Sequence, residues 1–149
     1  MPGTDRYQQH RAQAIRAAAS VFSEKGFHGA TTRDIAERLG IKQGSLYYYF
    51  RSKEEALEEV CLFGIRDYVL RMDQIAVSDQ PFEAKLMAVL TSHLSSYRER
   101  NEALKVHNDE RLYLPSEKRT RLKELGTHYT EYRRIVPMLI PRMRKKTFF

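Results

Sequence analysis

Hydrogen-bonding and aromatic side chains follow one another between residues 43 and 48, in the stretch QGSLYY. The amide of Gln43 can pair with the two polar atoms on the major-groove edge of adenine, and the hydroxyl of Ser45 can bond a base edge or a phosphate. The phenols of Tyr47 and Tyr48 can reach phosphates while their rings lie against sugars and thymine methyl groups. Gly44 would let the backbone come close to a partner. These residue types are suited to reading a DNA duplex.

Further donors flank this stretch on both sides. Arg33 can bond guanine with two parallel N–H groups, and Thr32 offers a hydroxyl beside it. Lys53 follows Ser52, which with Glu55 three residues later has the spacing of a capping box at a helix start. A lysine at a helix N-terminus could hold a phosphate together with the helix dipole.

Two short helices must carry these side chains. Thr32 is predicted to cap the first, Asp34 to lie in its first turn, and Gly40 to end it in the left-handed conformation. The apolar face of this helix would contain Ile35, Ala36 and Leu39. After a two-residue turn, a second helix is predicted from about Gln43 to Tyr49. Helices joined so closely cross at a steep angle, which leaves the second free to enter a major groove.

The second helix needs an inward side as well as an outward one. Leu46 and Phe50, one turn apart, are predicted to face inward, and Tyr49 is expected to join the core.

A preceding helix from about Asp5 to Lys25 would support these two. Its apolar stripe repeats at helical spacing, and Gly26 would end it, with Phe27 closing the core from the loop. The stripe consists of Ile15, Ala18, Ala19 and Phe22. Arg6 and Arg11 could reach phosphates, although solvated charges are the simpler interpretation.

A long helix from Ser52 to about Ala76 follows, with an apolar stripe sustained over five turns. The stripe contains Leu57, Val60, Cys61, Gly64, Ile65, Tyr68, Val69 and Met72. Because it starts beside the DNA-reading residues and spans more than about 20 Å, this helix is the physical candidate for transmitting a change from the rest of the chain.

Three further helical segments are predicted, from Pro81 to about Arg100, over 101–112, and from Ser116 to about Ile135. The face of the first contains Leu86, Val89, Leu90, His93, Leu94 and Tyr97, and that of the last Leu122, Leu125, Tyr129 and Tyr132. Few glycines and prolines and almost no alternating β-branched runs indicate an all-α fold.

Charge is distributed unevenly along the chain. Residues 1–53 hold 9 Lys and Arg against 4 Asp and Glu, residues 54–110 hold 6 against 12, and residues 111–149 hold 11 against 3. A basic head on an acidic middle suits a protein that places one end on phosphates. The single cysteine, Cys61, excludes an internal disulfide and fits a reducing cytoplasm, and no long apolar run predicts a membrane span.

The stretch from Gly29 to Leu57, GATTRDIAERLGIKQGSLYYYFRSKEEAL, resembles the DNA-binding domain of TetR-family transcriptional regulators. The resemblance implies a helix-turn-helix head over 1–53 and a helical ligand-binding and dimerisation domain over 54–149. It also implies that a ligand-responsive repressor contacts operator DNA through Thr32, Arg33, Gln43, Gly44, Ser45, Tyr47, Tyr48 and Lys53.

The stretch from Glu110 to Val136 is more loosely similar to family members that respond to acyl-CoA thioesters. A small-molecule effector, acyl-CoA or lipid-like, is therefore expected in a pocket with polar groups at His93, Tyr97, His107, Asn108 and Arg111. The resemblance also implies a homodimer reading two half-sites. The sequence ends before the last two helices with which such regulators pair, so a dimer would have to use the remaining helices or the apolar end that begins at Met138.

No enzymatic motif occurs in the sequence. Phosphate-binding glycine loops, a nucleophile elbow and metal-ligand spacings of His or Cys are all missing, so we expect neither an enzyme nor a cofactor. Three alternatives to a dimeric regulator remain open. The chain could be a shortened regulator, folded in its head but unable to hold a dimer, which light scattering would show as a monomer with weak, salt-sensitive DNA binding. The chain could be a helical protein-interaction module, in which case replacing Arg33 and Tyr47 would leave partner binding intact. It could also bind nucleic acid without sequence preference through the charges of 111–149.

Overall fold

A computed structural model describes residues 2–98 and 102–126, with side chains described for 4–95 and 102–126. The described residues form helices and connecting turns and contain no strand, which confirms the all-α prediction. The helices are α1 Pro2–Gly29, α2 Thr32–Leu39, α3 Gln43–Leu46, α4 Lys53–Val77, α5 Phe82–Arg98, α6 Glu102–Glu110, a 3₁₀ turn Arg111–Tyr113, and α7 over residues 116–126.

Helix α1 is longer than predicted. It begins at Pro2 and is broken rather than ended at Gly26, whose φ of 72° and ψ of 167° are not helical, and one more turn follows to Gly29. Phe27, in that turn, is 6% exposed and closes the core as expected. The predicted stripe of Ile15, Ala18, Ala19 and Phe22 is buried.

The predicted cap of α2 was one residue off. Thr31, not Thr32, is the N-cap: its hydroxyl accepts from the Asp34 N–H at 3.1 Å, and the Asp34 carboxylate accepts from the Thr31 N–H at 2.9 Å. This capping box places Asp34 at the third helical position, where it satisfies a donor that the helix itself cannot. Gly40 ends α2 with a φ of 75°, as predicted.

Helix α3 is shorter than predicted. It stops at Leu46, and Tyr47 to Tyr49 form a turn with bonds three residues apart, including Tyr49 N–H to Leu46 O at 2.9 Å. The chain leaves the helix early because Phe50 must be buried, at 2% exposure, and Ser52 must adopt the extended conformation of the next N-cap. Leu46 is also 2% exposed, so the inward pair was correctly predicted, whereas Tyr49 is only half-buried.

Helix α4 connects the residues predicted to read DNA to the rest of the fold. All eight residues of its predicted apolar stripe are buried. Ser52 caps it by accepting from the Glu55 N–H at 3.1 Å, but Glu55 accepts from the Arg51 N–H at 2.9 Å, so the predicted capping box is only half formed. Gly64 lies directly against the α6 backbone: a Cβ placed there would be 2.7 Å from the Ala103 carbonyl carbon.

The predicted face of α5 is less well covered than expected. Leu86, Val89, Leu90 and His93 are half-buried, but Leu94 is 61% exposed, so its assignment to an inward face was wrong. α5 packs mainly on α4, which covers only part of its circumference. The side chain of Tyr97 lies outside the described residues.

The remaining segments close the core from the other side. α6 packs against both α1 and α4. Leu114 and Leu122 are buried, Leu125 is half-buried, and the predicted inward residues Tyr129 and Tyr132 lie outside the described part of the chain. Glu58 of α4, 3% exposed, is paired with Lys118 at 2.8 Å and Arg121 at 3.3 Å from α7. Buried residues from Ala14 to Leu122 form one continuous core.

Candidate nucleic-acid interface

The outward side of α3 and its following turn is polar, aromatic and accessible. Gln43, Gly44 and Ser45 are exposed, and Tyr47 and Tyr48 are 54% and 82% exposed. We call these five residues the reading face. Leu46 and Phe50 anchor this segment from beneath, while the rings of Tyr47 and Tyr48 stand in solvent. Single exposed apolar residues are ordinary, but two adjacent tyrosines beside polar groups indicate a binding surface.

The residues predicted at the start of α2 lie next to this face. The Gln43 amide donates to the Thr32 hydroxyl at 3.0 Å, so the starts of α2 and α3 are brought together. Arg33 is exposed and forms an ion pair with Glu37 at 3.1 Å, with side-chain exposures of 75% and 65%. Such a solvated pair contributes little stability, and Arg33 can exchange it for a phosphate or base at small cost.

Lys53 has a structural role that the sequence did not predict. Its ammonium donates to the carbonyls of Phe27 at 2.8 Å and Ala30 at 3.1 Å, and lies 4.4 Å from the centre of the Phe27 ring. An ammonium has three N–H donors, so one remains for a phosphate. Lys53 therefore ties the start of α4 to the loop before α2 in addition to any contact with DNA.

Two cations near the reading face were missed from the sequence. Lys42 directly precedes α3 and Arg51 lies between the turn and α4, and both are exposed. From Gly40 to Lys53 the sequence contains three Lys and Arg but no Asp or Glu, and this local lack of acidic residues was the signal that could have identified them. Three cations without a neighbouring carboxylate in this segment give the surface a positive potential, which suits phosphates.

A third missed residue is Tyr7 of α1. Its hydroxyl donates to the Tyr48 carbonyl at 3.4 Å, and its ring stacks on that of Tyr49 with centroids 6.1 Å apart. Since Tyr7 and Tyr48 are 41 residues apart, no local pattern in the sequence relates them.

Two carboxylates of the head, Glu24 of α1 and Asp34 of α2, are paired with the cations Arg38 and Lys25. The Asp34 carboxylate accepts from Lys25 at 2.9 Å and from Thr31, and these bonds lower the pKa of Asp34 to about 2. The hydrogen bond to Asp34 in turn raises the pKa of Lys25. A hydrogen bond from Arg38 lowers the pKa of Glu24. These two acids are paired with Lys25 and Arg38, so neither of them occupies Arg33, Lys42, Arg51 or Lys53.

The head and the rest of the fold meet at Phe27. Glu110, at the end of α6, accepts from the Phe27 N–H at 3.3 Å. Tyr113 in the 3₁₀ turn stacks on the Phe27 ring at 6.0 Å and meets the His28 ring edge-on at 4.4 Å. Phe27 is thus contacted by Lys53 of α4, by Glu110 at the end of α6 and by Tyr113 of the 3₁₀ turn that follows. A displacement of α6 would reach the loop that leads into α2.

The residues predicted to line a ligand pocket fall in two places. His93 of α5 lies beside Tyr68, with 3.3 Å between its Nδ1 and the phenol oxygen. His107, Asn108 and Arg111 lie together at the end of α6. There Arg111 donates to the carbonyls of Asn108 at 2.6 Å and His107 at 3.3 Å, which satisfies acceptors that a helix end leaves open. The side chain of Tyr97 is not among those described.

A separate cleft opens between the end of α4 and α5. Of the four predicted pocket residues whose side chains the structure describes, His93, His107, Asn108 and Arg111, none is part of its lining. It is lined by Arg71, Gln74, Ile75, Ser78, Gln80, Ala84, Lys85, Ala88 and Ser92.

No helix in residues 2–98 and 102–126 is both long and apolar enough to cross a bilayer. Within the same ranges, no three His, Cys, Asp or Glu side chains come together as metal ligands would. Cys61 is fully buried, and this burial raises the pKa of its thiol to about 12.

Comparison with known proteins places these features in context. Residues 14–60 match the family model described as bacterial regulatory proteins, tetR family. The transcriptional repressor KstR2 of Rhodococcus jostii is 33% identical over 122 residues, which cover 81% of this chain and 60% of that repressor. The chain thus spans less than two thirds of the length of this relative.

Solved structures agree with the sequence match. The crystal structure of the probable transcriptional regulatory protein RHA5900 superposes with a TM-score of 0.70 at 31% identity, covering 93% of this chain and 73% of that one. The transcriptional regulator FadR from Bacillus subtilis, solved in complex with stearoyl-CoA, superposes with a TM-score of 0.66 at 26% identity, covering 81% and 65%.

Proposed function

The chain belongs to the TetR family of bacterial regulatory proteins, and from this premise we propose that it is a repressor that releases operator DNA when it binds a small apolar or acyl-type effector. Residues 1–53 serve as the DNA-binding head and residues 54–149 as the regulatory and dimerisation part. The protein acts in the cytoplasm as a homodimer, with one reading face in each of two successive major grooves. The three relatives named above are transcriptional regulators by name, and the proposal includes no catalytic step.

The observation that carries this proposal is the exposed reading face on its buried anchor. Gln43 and Ser45 provide the base-reading groups, and Tyr47 and Tyr48 provide contacts to phosphate and sugar. Gly44 has open space where a Cβ would stand, which allows the α3 backbone to approach the groove.

Cations around the face supply affinity that does not depend on sequence. We expect phosphate contacts from the exposed residues Arg33, Lys42 and Arg51 and from the remaining donor of Lys53. Each phosphate contact releases a counterion, so affinity should fall steeply as salt rises.

Release of DNA follows from a population shift between two arrangements of the body. The effector favours one in which α4 and the end of α6 are displaced. Because Lys53 and Glu110 both bond the Phe27 main chain, displacement of either helix moves the loop before α2. Two heads in a dimer would then lose the spacing of successive grooves.

An acyl-CoA effector is supported by the likeness to FadR, whose structure contains stearoyl-CoA. His93, Tyr97, His107, Asn108 and Arg111 remain the proposed polar contacts. Arg111 already bonds two carbonyls at the end of α6, so an anionic ligand that attracted its guanidinium would also loosen the segment that reaches Phe27.

The first test is selection of binding sites from random duplex DNA at near-physiological salt. We expect an enriched inverted repeat. Gln43→Ala should weaken the free energy of binding to the selected site by about 1–3 kcal/mol, the value of a bidentate base contact. Lys42→Met should weaken all sequences alike and lower the salt slope by about one. Gln80→Ala, an exposed amide on the connection to α5, is the matched control and should change nothing.

Other outcomes separate the alternatives. Equal affinity for every duplex, unaffected by Gln43→Ala, would favour a sequence-independent binder. No affinity for any duplex from folded protein would favour a helical interaction module. A single enriched half-site would retain the reading face but contradict the dimer.

The effector is tested on the protein bound to its selected site. Stearoyl-CoA, coenzyme A and stearate are titrated separately while DNA release is followed by fluorescence anisotropy. Release by stearoyl-CoA alone supports an acyl-CoA effector, and release by stearate supports a fatty acid. If none of the three releases DNA, the acyl effector is rejected while the DNA-binding function stands.

A further inference from the structure

The reading face rests on a segment with little helical support of its own. α3 has four residues, and Tyr47, Tyr48 and Tyr49 follow it in a turn. Short isolated helices are unstable in water, so the direction of Tyr47 and Tyr48 must be set by contacts from elsewhere. Beneath the turn, Leu46 and Phe50 provide the apolar part of that support.

Tyr7 provides a polar and aromatic contact at the outer end of the turn. It donates to the Tyr48 carbonyl at 3.4 Å and stacks on Tyr49 at 6.1 Å with an interplanar angle of 27°. One side chain of α1 therefore holds the backbone of one turn residue and the ring of the next. Tyr7 itself is 42% exposed and is surrounded by exposed residues from 4 to 10.

Arg11, one helical turn later, fixes the same part of α1 to helix α4. It pairs with Glu59 of α4 at 2.9 Å, with side-chain exposures of 26% and 14%. Residues four apart lie on one face of a helix, so Tyr7 and Arg11 point to the same neighbours. Tyr7 thus fastens α1 to the turn that follows α3, and Arg11 fastens it to α4.

We propose that Tyr7 is a positioning residue for DNA reading, which sets the directions of Tyr47 and Tyr48 by clamping the turn that carries them. This inference deepens the proposed function and depends on it for the DNA readout. Tyr7 acts without touching a base: its hydroxyl is engaged by a protein carbonyl and its ring by a protein ring. Loss of the clamp would let the two tyrosines sample other directions, and ordering them again on DNA would cost affinity.

The decisive experiment is a mutant cycle on DNA affinity. Tyr7→Ala should weaken binding to the selected site about tenfold, since it removes one hydrogen bond and one aromatic pair. Tyr7→Phe, which keeps the ring, should lose about threefold. In a Tyr47→Ala, Tyr48→Ala background, Tyr7→Ala should cause no further loss, because nothing remains for Tyr7 to position. Gln8→Ala, an exposed neighbour on α1, is the matched control.

A tenfold loss that persists in the double-alanine background would overturn the proposal and make Tyr7 a direct DNA contact. Equal affinity of Tyr7→Ala and wild type would also overturn it. If Tyr7→Ala lowers the melting temperature of the whole chain, Tyr7→Phe decides: a threefold affinity loss at wild-type melting temperature supports positioning, and wild-type affinity overturns it.

A second readout needs no DNA and keeps the clamp testable if the proposed function fails. Amide hydrogen exchange of residues 47–50 should rise about tenfold in Tyr7→Ala, while exchange in α4 stays unchanged. Unchanged exchange at 47–50 would reject the clamp. Increased exchange together with no DNA binding by the wild type would retain the clamp and reject the repressor.

Discussion

Replacing Gly64 by alanine should reveal how closely α4 and α6 pack. A Cβ at this position would lie 2.7 Å from the Ala103 carbonyl carbon, 2.8 Å from its oxygen and 2.8 Å from the Leu104 nitrogen. All three atoms belong to the α6 backbone, which cannot rotate aside as a side chain can. The two helices must therefore separate locally.

The expected cost is the difference between two effects. Overpacking a core costs about 1–3 kcal/mol, and a backbone obstacle favours the upper end. Replacing glycine by alanine inside a helix returns about 1 kcal/mol. The net loss for Gly64→Ala is about 2 kcal/mol, which corresponds to a melting temperature lower by about 4–8 °C in a chain of this size.

Thermal unfolding followed by circular dichroism at 222 nm measures this effect, and Gly126→Ala is its matched control. Gly126 is also helical, but a Cβ there would meet nothing within 4 Å, so alanine should raise stability by up to about 1 kcal/mol. The two substitutions should thus have opposite signs. A Gly64→Ala protein as stable as the Gly126→Ala protein would refute the close approach of α4 and α6.

Three further predictions concern charge and burial. Replacing Lys118 and Arg121 together by methionine should lower the free energy of unfolding in urea by about 3–5 kcal/mol, because it leaves the buried Glu58 carboxylate unpaired. Glu58→Gln should cost less, since both cations can turn to water. The reverse order would contradict this view of the pair. Hydrogen bonds from Lys25 and Thr31 lower the pKa of Asp34 from 3.8 to about 2. The ionised carboxylate therefore stabilises the fold above pH 4, and that contribution is lost as the pH falls towards 2. Melting temperatures measured from pH 7 to 2 should therefore fall less steeply in this window for Asp34→Asn, and parallel curves would refute the assignment. Burial raises the pKa of Cys61 to about 12, so its thiol should resist a disulfide reagent at pH 8 in the folded protein and react once urea unfolds it; rapid labelling of the folded chain would show the burial to be wrong.

Local patterns in the sequence were sufficient for the helices that carry the interface. Gly40 was recognisable because a new helical signal began two residues later, and the spacing of apolar residues in α4 identified every buried position proposed for it. Leu46 and Phe50 were likewise set by their one-turn separation. The reading face follows from these, since what is not anchored must point outward.

Choices between neighbouring residues and contacts across the chain were harder. Thr31 and Thr32 can both cap a helix, and only the position of Asp34 three residues after Thr31 decides between them. Leu94 shows that periodicity identifies a face without saying whether anything covers it.

Contacts distant in sequence were missed altogether. The hydrogen bond from the Phe27 N–H to the Glu110 carboxylate joins residues 83 apart, and the bond from the Tyr7 hydroxyl to the Tyr48 carbonyl joins residues 41 apart. Such pairings depend on how the helices pack, which no single segment encodes. The DNA and effector roles of the individual residues remain predictions for the same reason: they concern partners outside the chain.

The continuous core has a thermodynamic consequence. α1 contributes fully buried residues such as Ala14 and Ala18, and it packs against α4 and α6 as well as α2. Unfolding either end would expose this shared surface, so the described part of the chain should melt in one cooperative transition. Any molecule that binds only the folded form, whether at the reading face or in the body, would then raise the same melting temperature by mass action. A thermal-shift screen could therefore find an effector or a DNA site before either is known.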